Sequence, residues 1–207
     1  MVQFKIQSGN LALVVHDLQG VFMKGPFAPR DSESYVKRIR SLIDLCRSKR
    51  VPVIYTKACF RRDGADVGLL GEFFGELKRG EILIEDQEAS EILQELAPEV
   101  GDIVIRKGNS YSAFHNTALQ DILRNLGVDT IVIVGGATNV GIDSLVRDAL
   151  SRGIKAVLLE DAAFALDLPD MGWGAIPQEQ VYKTFLSNFA FCLGQVMKSE
   201  DFIAGVS

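Results

Sequence analysis

The chain has 207 residues, 47% of them apolar and 24% charged, the make-up of an ordinary globular protein with length enough for a sizeable core. A formal charge of −5 without a long basic run gives no generic attraction to nucleic acid. No apolar stretch approaches the ~20 residues of a membrane span, and Cys46, Cys59 and Cys192 are too scattered for a disulfide framework or zinc knuckle. Reduced thiols, and an N-terminus (MVQFKIQSGN) without a signal-peptide core, lead to the expectation of a cytoplasmic protein.

In chain order, Leu11 to Val15 predicts a first buried strand that runs into His16 and Asp17. Phe27 to Asp31 reads as loop, and Val36, Ile39, Ile43 and Cys46 then recur at helical spacing up to Lys49. Val51 to Tyr55 predicts a second strand. Lys57 to Gly80, glycine-rich and charged, reads as a long loop with a helical turn at Leu70 to Leu77. Ala89, Ile92, Leu93 and Leu96 mark a short helix closed by Pro98. Asp102 to Ile105 is a third strand ending at Arg106-Lys107-Gly108, and Leu119, Ile122, Leu123 and Leu126 mark the next helix. Thr130 to Val134 is a β-branched run expected to be buried on both faces. Gly135 and Gly136 break it, and Ile142, Leu145, Val146 and Ala149 return to helical spacing. Ile154 to Leu159 predicts a fifth strand ending in Glu160-Asp161, Leu166 to Ile176 a loop, and Tyr182, Phe185, Leu186, Phe189 and Leu193 a final amphipathic helix.

Strands alternating with helices predict a three-layer α/β/α sandwich with a mainly parallel sheet of roughly six strands, as a single domain over residues 1–207. Asp17, Lys107 and the turn at 138–141 then fall at strand carboxyl ends, where open α/β sheets bind ligands. A strand, glycine turn and helix start also point backbone N–H groups at one spot, which suits a carboxylate, a phosphate or an oxyanion.

The segments VVHDLQGVF, RKGNSYSAFHNTALQDILRNLGVDTIVIVGGATNV and LLEDAAFAL resemble the isochorismatase-like superfamily, also called the cysteine hydrolases. In motif they look closest to N-carbamoylsarcosine and ureidoacrylate amidohydrolases. The resemblance implies a parallel sheet flanked by helices, a small-molecule substrate, homodimers or homotetramers, and a triad of aspartate, lysine and cysteine. Asp17 and Lys107 match the first two by motif. Family members often place the lysine one residue nearer to S-A-F, where this chain has Gly108, so Arg106 is a second candidate. The resemblance also implies a cis peptide at Gly136–Ala137 and an oxyanion site in the turn of Gly136, Ala137, Thr138 and Asn139.

The usual cysteine position is Gly141 here. A glycine cannot be the nucleophile of a covalent mechanism. Three explanations stand side by side. Gly141 replaces a native cysteine in an amidohydrolase acting on an amide or ureide C–N bond. Alternatively, Asp17 is the general acid of a cysteine-free, isochorismatase-type hydrolysis of a vinyl ether. Or the chain is a non-catalytic relative that keeps a ligand pocket.

Other residues have plainer alternatives. Thr138 and Asn139 are natural helix caps, and His16 and His115 read as structural or surface residues. Phe22, Phe27, Phe60, Tyr111 and Trp173 are candidate pocket walls, and Arg61-Arg62 a candidate carboxylate clamp. Nicotinamidases bind a divalent ion through an aspartate and histidines after the second strand. The corresponding YTKACFRRDGADVG has no histidine, so neither a catalytic metal nor another cofactor is expected.

Overall fold

The computed structural model describes residues 2–25 and 28–206. Its sheet has six strands, β1 (Leu11–His16), β2 (Val53–Ala58), β3 (Ile103–Lys107), β4 (Thr130–Gly136), β5 (Lys155–Phe164) and β6 (Gln195–Met197). They are all parallel and run in the order β3-β2-β1-β4-β5-β6. Strand order reverses between β1 and β4, so their carboxyl ends frame the topological switch point.

The helices are α1 (Gly20–Met23), α2 (Ser32–Ser48), α3 (Leu70–Phe73), α4 (Gly75–Lys78), α5 (Leu119–Asn125), α6 (Asp143–Ser151), α7 (Gln178–Cys192) and α8 (Ser199–Gly205). Side chains alternate across β1, which explains the two layers. Leu11, Leu13 and Val15 pack with Ile39, Leu42 and Ile43 of α2 and Phe202 of α8. Ala12 and Val14 pack on the other face with Leu119, Leu145 and Phe189 of α5, α6 and α7. A third, smaller cluster of Phe60, Val67, Leu77, Leu83 and Ile84 forms a cap beyond β2. Among the described residues no helix is long and apolar enough to cross a membrane.

The structure departs from the sequence expectations in particular places. The expected helix over 89–96 is instead two 3-10 turns, Glu88–Ser90 and Gln94–Leu96. Gly20 N donates to Glu91 O and Leu93 N to Leu18 O, so tertiary backbone bonds override the helical spacing. β5 does not end at Glu160-Asp161 but continues through an irregularity, so that Ala163 and Phe164 pair with Gly135 and Gly136. Asp161 Oδ1 there accepts from the N–H and hydroxyl of Ser199, capping α8. β6 and α8 lie outside the elements anticipated from the sequence.

Candidate active site

Asp17 follows β1 directly and adopts φ +50°, a left-handed conformation that aspartate tolerates better than most residues. Its carboxylate is buried. Oδ1 accepts from the Thr56 hydroxyl of β2 at 2.6 Å, and Oδ2 accepts from Lys107 Nζ at 2.5 Å. Lys107, the last residue of β3, also donates to the Tyr111 carbonyl at 3.1 Å. Register explains how it reaches across: Lys107 pairs with Ala58 and His16 with Thr56, which brings three strand ends to one rim. Arg106 points the other way, to the Cys59 carbonyl, Asp66 and Glu85. Lys107, not Arg106, is therefore the cation on Asp17.

Burial alone would raise the Asp17 carboxyl. The adjacent His16 ring, then the Lys107 ammonium and the hydrogen bonds from Lys107 and Thr56, together outweigh it and hold Asp17 below the usual carboxylate range. His16 is fully buried beside it, with Nδ1 3.0 Å from the Thr56 hydroxyl oxygen and Nε2 3.4 Å from Asp17 Oδ2. Burial pushes the His16 imidazole down to about 3, so the ring is neutral at pH 7.

The β4 end completes the site. Gly136–Ala137 is a cis peptide. A π-helical turn, Thr138–Ile142, leads into α6. Gly135 has φ +103°, and a Cβ on it would overlap the His16 carbonyl; a Cβ on Gly141 would overlap His16 Nε2. Neither Thr138 nor Asn139 caps a helix: the residues preceding the turn and α6 make no side-chain cap bond. Asn139 instead accepts from Leu166 N at 2.9 Å, tying the turn to the chain beyond β5. Thr138 is buried, its hydroxyl without a partner among the described residues.

These groups floor a cavity of about 310 Å³, at the small end of ligand sites. Asp17, Lys107, Gly136, Ala137 and Gly141 line it, with apolar walls that include Phe22, Phe60, Leu77, Tyr111 and Phe164. Glu76 and Ser110 add polar groups. Several anticipated residues are elsewhere. Arg61 is paired with Asp63, Arg62 lies beside Asp86, and neither lines the cavity, so they are not its carboxylate clamp. Trp173 is 89% exposed and also outside it. Phe27 lies outside the described residues. Among the described residues no group of three or more His, Cys, Asp and Glu is placed to hold a metal ion.

Sequence reasoning missed Thr56 as a partner of Asp17 and His16 as a partner of Gly141. It also passed over Gln19, whose side chain donates to the Ala58 and Ser90 carbonyls and accepts from Ala58 N. Gln19 thus staples the ends of β1 and β2. The only advance signal for His16 and Thr56 was a polar residue at the end of an apolar strand.

A doubly wound parallel sheet with a buried carboxylate–ammonium pair at its switch point defines an α/β small-molecule site. The isochorismatase domain family matches residues 11–201. Ureidoacrylate amidohydrolase RutB of Rhizobium rhizogenes is 30% identical over 221 residues, spanning 98% of this chain and 85% of its own length. Nicotinamidase 3 of Arabidopsis thaliana is 29% identical over 182 residues, spanning 87% of this chain and 80% of its own. The crystal structure of a cysteine hydrolase from Pseudomonas syringae pv. phaseolicola superposes with a TM-score of 0.93 at 32% identity, over 99% of this chain and 95% of that one. This chain belongs to the isochorismatase family of hydrolases.

Proposed function

We propose that the protein hydrolyses a C–N bond, in an amide or ureide, of a small uncharged compound with an apolar body. Water takes the place of the thiol that residue 141 lacks. The observation that carries this reading is the buried Asp17–Lys107–Thr56 cluster at the floor of an apolar cavity. An ionised Asp17 accepts a proton, which suits drawing one from water. Lys107 holds that charge. Backbone N–H groups of Ala137 and Gly141 receive the oxyanion, Thr138 and Asn139 shape the turn, and Phe22 and Tyr111 wall the substrate. The vinyl ether route needs Asp17 as a neutral acid, and its lowered pKa speaks against that. With Arg61 and Arg62 turned away, the cavity has no cation to spare for a substrate carboxylate among the described residues. The same reading takes the chain as one domain, cytoplasmic and working as a dimer or tetramer. Exposed Leu69, Phe73 and Ile203 offer apolar surface for such contacts.

The test is a panel of acetanilide, phenylurea and an aryl vinyl ether, each beside its carboxylate-bearing counterpart. Turnover is expected for the neutral amide or ureide and not for the vinyl ether. Asp17→Asn, which keeps a side chain suited to the left-handed backbone, should lower kcat about 10²- to 10⁴-fold. Lys107→Met should strand a buried carboxylate and cost about 3–5 kcal/mol of stability. Unchanged hydrolysis in Asp17→Asn would overturn the assignment. Ligand-induced melting shifts without turnover would make the protein a binding relative instead.

A further inference from the structure

The hydrogen-bond pattern around Thr56 fixes the protons on His16. Thr56 has a single hydroxyl proton. It goes to Asp17 Oδ1, which as a carboxylate oxygen can only accept. The 3.0 Å contact between Thr56 Oγ1 and His16 Nδ1 must then run from Nδ1–H to the hydroxyl oxygen. A neutral imidazole with its proton on Nδ1 has a bare lone pair on Nε2. That nitrogen is buried and has no hydrogen-bond partner among the described residues. It lies 3.4 Å from Asp17 Oδ2, longer than a good hydrogen bond, as expected for two acceptors with no proton between them. The other charged group acting on the ring is Lys107, which donates to the same carboxylate oxygen. An unsatisfied buried acceptor costs free energy, so the ring's position beneath Gly141 and beside Asp17 calls for a function.

We propose that His16 is a second proton acceptor of the site, acting through Asp17: its Nε2 lone pair shares the proton that Asp17 draws from the hydrolytic water. This rests on the hydrolase reading above. As water attacks the carbonyl carbon, one O–H bond breaks and the new C–O bond forms. The proton passes to Asp17 Oδ2 and bridges to His16 Nε2. When the C–N bond breaks, that proton goes to the leaving nitrogen, so water is consumed and Asp17 and His16 return to their starting forms. A proton left on Asp17 alone would face the Lys107 ammonium with no acceptor beside it. The Nε2 lone pair supplies one. His16 is thus a positioning residue for the proton, and it occupies the space that a side chain at 141 would need.

The first test needs no substrate. Nitrogen NMR of the histidine-labelled wild-type protein should show His16 as the neutral Nδ1–H tautomer, with Nε2 a pyridine-type nitrogen. His115 is exposed and serves as the internal reference. A His16 with its proton on Nε2, or protonated at pH 7, overturns the proposal, and does so whether or not the hydrolase reading stands. The second test uses His16→Leu, which fills the space without a nitrogen. kcat should fall at least about tenfold, with KM within about twofold and an altered proton inventory in mixed H₂O/D₂O. If His16→Leu melts below the assay temperature, the tautomer measurement decides. If it folds and keeps the wild-type kcat and isotope response, His16 is only a space-filler and the proposal is wrong.

Discussion

Gly141 and His16 compete for one space. The backbone at 141 is not in the left-handed region, so nothing in the chain's conformation demands glycine there. What demands it is the imidazole, since any Cβ at 141 would overlap Nε2. His16 is fully buried and hydrogen-bonded to Thr56, so moving the ring aside means giving up that bond. Gly141→Cys alone should therefore behave as an overpacking substitution and lose about 1–3 kcal/mol. His16→Val with Gly141→Cys should recover most of that loss, giving a coupling energy of about 1 kcal/mol or more in a double-mutant cycle from urea denaturation. Only the double variant should carry an iodoacetamide-reactive thiol in the cavity, next to the Lys107 ammonium that favours a thiolate. A single Gly141→Cys that is as stable as wild type would show that the ring yields freely and that the pairing has no force. The matched pair also bears on the glycine at position 141: a side chain there meets the His16 ring, so placing a thiol at 141 calls for a change at 16 as well.

At the scale of elements, the polar floor of the cavity and its apolar walls come from different parts of the chain. The floor is built from β1, β3 and the β4 turn, which are anchored in the two large cores. Much of the wall comes from the cap, whose cluster of Phe60, Val67, Leu77, Leu83 and Ile84 packs separately. Leu77 of α4 belongs to that cluster and lines the cavity. Leu77→Ala should loosen the cap as a unit. Hydrogen exchange should speed up over residues 60–84 while β1 and β4 stay protected, and KM for an apolar substrate should rise more than kcat falls. Equal acceleration throughout the sheet would mean that the cap is not a separate unit. The same division explains what could be read in advance. Asp17, Lys107 and the 136–141 turn were legible because each lies at the end of an apolar run, where parallel sheets gather such ends at one rim, and because the segments around them resemble the family's motifs; the choice between Lys107 and Arg106 needed the structure. The partners of Asp17 were not, because Thr56 and His16 come together through strand register and not through local pattern. Arg61 and Arg62 misled because their charges have acidic neighbours, Asp63 in the same loop and Asp86 in the segment after α4. β6 escaped notice because Gln195–Met197 is only three residues long, too short for any periodicity. The segment around Ile92 kept its apolar spacing but gave its backbone bonds to Leu18 and Gly20.

For the whole molecule, burying His16 and Asp17 makes folding stability depend on pH with a definite sign. The folded protein holds His16 neutral down to about 3, against 6.5 for an ordinary histidine. Below pH 6.5 the unfolded chain therefore binds a proton that the folded one refuses, and stability falls as pH falls. Asp17 acts in the same direction at lower pH. Its folded value lies below the ordinary 3.8, so its contribution is present above that value and is lost as acid protonates it. Neither group adds a pH dependence above neutrality. One histidine proton is worth about 1.4 kcal/mol per pH unit inside its window. Urea denaturation at pH 7.5 and 4.5 should thus differ by about 2–3 kcal/mol on account of His16. His16→Leu cannot take up that proton in the unfolded state and should flatten this part of the acid loss, leaving the Asp17 contribution at lower pH. An acid loss between pH 7.5 and 4.5 that is the same size in His16→Leu would place its source in other groups. An unchanged wild-type stability over that range would mean that the buried ring accepts a proton in the folded state. That outcome would also undo the neutral tautomer on which the shared proton with Asp17 depends.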